Sequence, residues 1–139
     1  MENAAINFQE LTELALQARE RAYVPYSHFA VGAALLCKDG TVYQGCNIEN
    51  AAYPATNCAE RTAFFKAVSE GRRDFAAIAV VGGPAGEAPA AFCPPCGVCR
   101  QVMREFCGAD FTIVLSDGFK IQAYTLEELL PCSFGPENL

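Results

Sequence analysis

Three cysteines and one glutamate carry the chemistry written in this chain. Cys58-Ala59-Glu60 and Cys96-Gly97-Val98-Cys99 lie with 37 residues between Cys58 and Cys96. Three thiolates can hold one zinc ion and leave its fourth position open, where bound water is acidified to a pKa of about 7. Glu60 need not touch the metal. A carboxylate beside such a site can take the water proton and later return it as an acid. The combination predicts hydrolytic zinc chemistry with one Zn2+ per chain, held by Cys58, Cys96 and Cys99, and with Glu60 as the catalytic residue. Three thiolates on a divalent ion leave the site net negative, so a cation is needed to preserve its acidity. Arg61, adjacent to Glu60, is the candidate for hydrogen-bonding the thiolates, and Arg100 is a second.

Each residue also has a plainer reading. Cys58 alone is a small buried hydrophobe, and Glu60 alone completes a capping box with Asn57. Cys96 and Cys99 alone form a thioredoxin-like redox pair. With Cys93 as a fourth thiol they become part of a closed structural zinc site. A redox pair follows a strand closely, whereas a loop containing Pro89, Pro94 and Pro95 precedes this one. A closed site gives no reason for Cys-Ala-Glu. Only the catalytic reading uses all four residues.

The elements that must position these groups follow from periodicity and turn signals. Asn7 and Glu10 form a capping box ahead of Phe8, Leu11, Leu14, Ala15 and Ala18 at helical spacing. Residues 29–37 are an apolar run, and Lys38-Asp39-Gly40 turns the chain into a second strand at 41–47. Asn57 caps a helix to about residue 70 with Ala59, Ala63, Phe64, Ala67 and Val68 inward, and Gly71 ends it. Phe75–Val81 is a buried strand, and residues 82–95 are a loop rich in Gly, Ala and Pro. A third helix from about Cys96 carries Val98, Val102 and Phe106. Phe111–Leu115 and Phe119–Tyr124 are strands, and Leu126–Leu130 is a short helical turn stopped by Pro131. The predicted fold is α/β, a three-layer helix–sheet–helix sandwich with a mixed five-stranded sheet. Its last two strands are antiparallel, because about three residues cannot make a crossover. Both zinc motifs fall at helix starts, where the positive ends of two helix dipoles favour thiolates.

Composition narrows the function classes. The 139 residues are 52% hydrophobic and 19% charged, which excludes a disordered chain and predicts one domain over 1–139. That apolar content also predicts subunit contacts. A net charge of −6 argues against a protein that grips nucleic-acid phosphates. No apolar run is long enough for a membrane. The opening Met-Glu-Asn-Ala-Ala has no signal-peptide pattern, and the eight cysteines need no disulfides. The expectation is a cytoplasmic protein, or one also found in the nucleus, with reduced thiols.

Cys58-Ala59-Glu60-Arg61 followed by Pro95-Cys96-Gly97-Val98-Cys99-Arg100-Gln101 resembles the zinc-dependent cytidine deaminase family. The resemblance extends to Pro25-Tyr26-Ser27-His28-Phe29, to Val31–Leu35, to Gly45–Ala51, to Leu129-Leu130-Pro131 and to Phe134-Gly135-Pro136. It is nearest to the small, all-cysteine, homotetrameric members of animals. It implies deamination of cytidine and deoxycytidine to uridine, deoxyuridine and ammonia in pyrimidine salvage, by zinc-bound hydroxide attack at C4 with Glu60 shuttling protons. It implies substrate contacts at Phe29, Asn47, Glu49, Ala51, Tyr53, Ala59 and Phe134. Phe29 would stack on the base, Asn47 and Glu49 would hold ribose hydroxyls, and the Ala59 backbone would read the pyrimidine. Tyr53 and Phe134 match positions that complete a neighbouring subunit's pocket. A polynucleotide deaminase is disfavoured by Cys in place of His in the first motif and by the tight final turn. A deaminase of aminonucleoside antibiotics shares Cys-Ala-Glu and is the nearer rival.

Overall fold

The capping box forms as its spacing dictates. Asn7 Oδ1 accepts from Glu10 N at 2.8 Å, and Glu10 Oε1 accepts from Asn7 N at 3.1 Å. Helix α1 runs from this cap over Phe8–Arg19 and buries Leu11, Ala15 and Ala18. A computed structural model describes residues 6–139 of the chain; residues 1–5, read above for a targeting signal, lie outside the described residues. The elements that follow are β1 (Phe29–Cys37), β2 (Val42–Cys46), α2 (Ala59–Ser69), β3 (Phe75–Pro84), α3 (Gly97–Phe106), β4 (Thr112–Ser116), β5 (Ile121–Thr125) and α4 (Leu126–Leu129).

Among the described residues the strands form one mixed sheet in the order β2-β1-β3-β4-β5. β3 and β4 pair parallel, as the intervening helix requires, and β4 and β5 pair antiparallel. Alternate side chains of the central strands point to opposite faces, so each face carries its own core. Leu11 and Ala15 of α1 pack with Ala34, Ala79, Val81 and Val114 on one face. On the other, Ala63, Phe64 and Met103 from α2 and α3 pack with Leu35, Ile78, Val80 and Ile113. The three-layer α/β sandwich expected from the alternation is the fold observed.

Two glycines set the depth of those layers. A Cβ on Gly32 of β1 would lie 2.0 Å from Ala15 O of α1, and one on Gly45 of β2 would lie 2.4 Å from Ala59 O of α2. Each helix therefore rests directly on strand backbone. Gly71, at φ 92°, ends α2 in the left-handed region where glycine carries no Cβ penalty.

Several boundaries differ from expectation. β3 continues to Pro84, because Gly82, Gly83 and Pro84 pair with Val31, Ala30 and Phe29. The first part of the anticipated 82–95 loop is thus strand. β5 begins at Ile121, since Asp117 Oδ1 binds the Phe119 and Lys120 amides in a turn and leaves Phe119 exposed. α2 is not capped by Asn57; its N-cap is Cys58, and Asn57 Nδ2 donates instead to Thr62 Oγ1. α3 buries Cys99 and Met103 and leaves Val98 exposed. No helix among the described residues is long and apolar enough to cross a membrane.

Candidate active site

The first turns of α2 and α3 bring the three predicted thiols together. The sulfur atoms of Cys58, Cys96 and Cys99 all lie within 4.8 Å of one another, and Cys58 Sγ and Cys96 Sγ are 3.9 Å apart. Cys58 is the N-cap of α2 and Cys96 the N-cap of α3, both with extended backbone and neither with a side-chain cap bond. N-caps are ordinarily Ser, Thr, Asp or Asn, which satisfy a free backbone N–H. Both helices forgo that bond and aim a sulfur outward, where the helix dipole favours a thiolate. Cys99, one turn into α3, is fully buried.

Arg61 supplies the cation. Its Nη2 donates to Cys58 Sγ at 3.0 Å, while its buried Nε has no protein partner. A shared hydrogen bond with Cys99 and the Arg61 guanidinium hold the Cys58 thiol down to about 5. The same sharing, together with burial, pushes Cys99 up. A cluster of three sulfurs, one of them held toward the thiolate and backed by a guanidinium, fits a zinc ion. Arg100 does not join it. Its Nε donates to Pro95 O and its Nη1 to Leu129 O, so it fastens the segment preceding α3 to the C-terminal part of the chain.

Glu60 lies in the same first turn of α2 and is 5% exposed. Burial pushes its carboxyl up to about 7, and the charge of Cys58 acts in the same direction. A carboxyl poised near neutral pH can both accept and release a proton there. Because Cys58 is the cap and makes no side-chain bond, the capping-box reading of Glu60 falls away. The fourth-thiol reading of Cys93 also loses support. The group among the described residues that could hold a metal ion is Cys58, Cys96 and Cys99, while Cys93 packs over Gly82 and burial pushes its thiol up to about 11.

A second group of predicted residues assembles where β2 leads into the turn at 47–56. Glu49 Oε1 accepts from Tyr26 N at 3.0 Å and from Ser27 N at 3.1 Å, and its Oε2 accepts from the Ser27 hydroxyl. The Ser27 hydroxyl bond, followed by the backbone bonds, holds the Glu49 carboxyl below its usual range. Glu49 and Tyr53 line a cavity of about 410 Å3 with Tyr26, Ser27, Asn50 and Thr56. Asn47 sits at the edge of β1, where Oδ1 accepts from Val31 N and Nδ2 donates to Phe29 O, each at 2.9 Å. Phe29 and Ala51 are exposed and Ala59 is buried. Phe134 lies apart from the cavity, on a C-terminal tail tied to α3 through Gln101. Ser27 is the residue that sequence reasoning left without a role. Its signal was the proximity of Pro25-Tyr26-Ser27 to the apolar run beginning at Phe29.

Comparison with known proteins agrees with this geometry. The family described as the cytidine and deoxycytidylate deaminase zinc-binding region matches residues 6–115. A protein of Halalkalibacterium halodurans named cytidine deaminase is 58% identical over 132 residues, covering 94% of this chain and 96% of the relative. The crystal structure of cytidine deaminase from Burkholderia pseudomallei superposes with a TM-score of 0.85 at 46% identity, covering 93% of this chain and 100% of that one. A blasticidin-S deaminase of Bacillus cereus is 32% identical over 128 residues, with 90% of each chain covered.

Proposed function

Because the chain belongs to the cytidine and deoxycytidylate deaminase zinc-binding family, we propose that it hydrolyses cytidine and deoxycytidine to uridine and deoxyuridine, releasing ammonia. The observation that carries this reading is the meeting of three thiols and a buried glutamate at the first turns of two helices. Cys58, Cys96 and Cys99 would hold the zinc, which when bound supplies the Lewis acidity that makes water a nucleophile at neutral pH. Glu60 then does the proton work. It takes a proton from the water that adds to C4, delivers it to N3 of the ring, and passes the second water proton to the amine as the C4–N bond breaks. One water is consumed and one ammonia leaves. Arg61 balances the thiolate charge.

The remaining residues bind and orient. Phe29, at the exposed start of β1, stacks on the base, and the Ala59 backbone faces its polar edge. Asn47 keeps one amide hydrogen and one carbonyl lone pair after its two bonds to β1, enough to meet a ribose hydroxyl. Glu49, already held by Tyr26 and Ser27, retains acceptor capacity for another hydroxyl without rotamer freedom to lose. Ala51 and Tyr53 border the same region.

The assembly proposed is a homotetramer in which neighbouring copies complete each pocket. Tyr53, 72% exposed, and Phe134, 59% exposed, are aromatic rings that one chain leaves uncovered. The proposed setting is the cytoplasm, in nucleoside salvage, which suits eight free cysteines. Hydrolysis of cytidine, deoxycytidine and blasticidin S, followed by ultraviolet absorbance, tests the substrate class. We expect kcat/KM to be highest for cytidine and deoxycytidine. Faster turnover of blasticidin S would overturn the assignment.

A further inference from the structure

The C-terminal tail is fastened to the helix that carries Cys99 by two side chains, Arg104 and Gln101, of which Arg104 reaches the most points. Arg104 of α3 donates from Nε to Ser133 Oγ at 2.8 Å and from Nη2 to Glu137 Oε1 at 2.6 Å. Between those two points its guanidinium lies flat beneath Gly135. A Cβ added at Gly135 would fall 2.3 Å from Arg104 Cζ and 2.4 and 2.6 Å from its two terminal nitrogens. Gly135 has φ −153°, extended backbone open to any residue, and its missing Cβ leaves the space that the Arg104 guanidinium fills. Gln101, one turn earlier on α3, donates to Phe134 O at 2.9 Å. The Phe134 ring takes no part in this fastening and stays largely exposed. An exposed ion pair alone would hold such a tail weakly. A planar guanidinium that reaches two partners and fills the space under a glycine fixes its angle as well.

We propose that Arg104 is a positioning residue for the reaction, setting the tail so that Phe134 is presented to the substrate pocket of a neighbouring copy. The inference rests on the reading above that Phe134 enters that pocket. α3 thereby serves two sites, its own metal cluster through Cys99 and the neighbour's nucleoside through the tail.

The test compares single variants of the full chain, and one double variant, for cytidine kinetics, zinc content and mass by light scattering. Phe134→Ala should raise KM at least about fivefold, the scale of one lost stacking contact on a base. Arg104→Met, which removes the clamp, and Gly135→Ala, which keeps Arg104 but puts a methyl group where its guanidinium lies and so breaks their contact, should each raise KM comparably. In all three kcat should stay within about twofold, as expected when a binding contact is lost and the chemical step is untouched. Zinc should remain at one per chain and the mass near four chains. Arg104→Lys should stay impaired, because an ammonium can meet Glu137 but cannot lie flat beneath Gly135. Combining Arg104→Met with Phe134→Ala should raise KM no further than Phe134→Ala alone. If Phe134→Ala raises KM while Arg104→Met and Gly135→Ala behave as the parent, the inference fails and the neighbour-pocket reading stands. If Phe134→Ala has no effect, both fail. Loss of zinc or mass in Arg104→Met with a parental Gly135→Ala would make Arg104 merely structural and overturn the proposal.

Discussion

Glu60→Gln should give a protein that is folded, zinc-loaded and nearly inactive. The side chain is buried in the first turn of α2 and makes no capping bond, so an isosteric amide should fit without loss of structure. The amide cannot take a proton from water or return one to N3. General acid–base catalysis by one group is worth about 10²–10⁴-fold, and Glu60 acts at more than one step, so the loss in kcat should reach the upper end of that range. Zinc should stay at the parental level because the three sulfurs are untouched. A variant retaining more than about a tenth of the parental rate would remove Glu60 from the mechanism.

Gly45→Ala should disturb the fold and the site together. The new Cβ would sit 2.4 Å from Ala59 O, 2.6 Å from Ala63 N and 3.1 Å from Ala63 Cβ. The nearest two are backbone atoms of α2 and cannot swing aside as a flexible side chain would. Overpacking of this kind costs about 1–3 kcal/mol, and relief requires α2 to lift from β2. That lift carries Cys58 and Glu60 with it, and a displacement of about 1 Å at a reacting group can cost about 100-fold in rate. Thermal unfolding, zinc content and turnover should all fall together. Parental stability with parental zinc would mean that the position of α2 on the sheet does not depend on this contact.

How much of this was legible in the sequence depended on whether the signal was local. The Asn7–Glu10 box, the Gly71 stop and the antiparallel last hairpin follow from residues within a few positions of one another, and each is present. The metal cluster was legible although its halves are distant, because cysteine and glutamate in that spacing serve few other purposes. The arrangement of Arg61 over Cys58 followed from one helical turn of spacing. The misplaced features were long-range. Gly82 and Gly83 look like loop residues, yet their pairing with β1 extends β3 to Pro84. Val98 has the spacing of a core residue, but α3 must turn Cys99 and Met103 inward, which rotates Val98 out. Asn57 is a good cap by type, but the chain enters α2 one residue later so that Cys58 can face the cluster. The bonds of Asn47 to Phe29 and Val31, and of Glu49 to Tyr26 and Ser27, depend on tertiary placement and carry no local signature.

One zinc on Cys58, Cys96 and Cys99 would make this chain a nucleoside deaminase, and removing the metal and restoring it stepwise while following cytidine turnover tests that dependence. Activity should be absent at the start, rise in proportion to added zinc, and level off at one ion per chain, with one ammonia released for each uridine formed. Turnover that persists without zinc, or a fully loaded protein that leaves cytidine unchanged, would contradict the account.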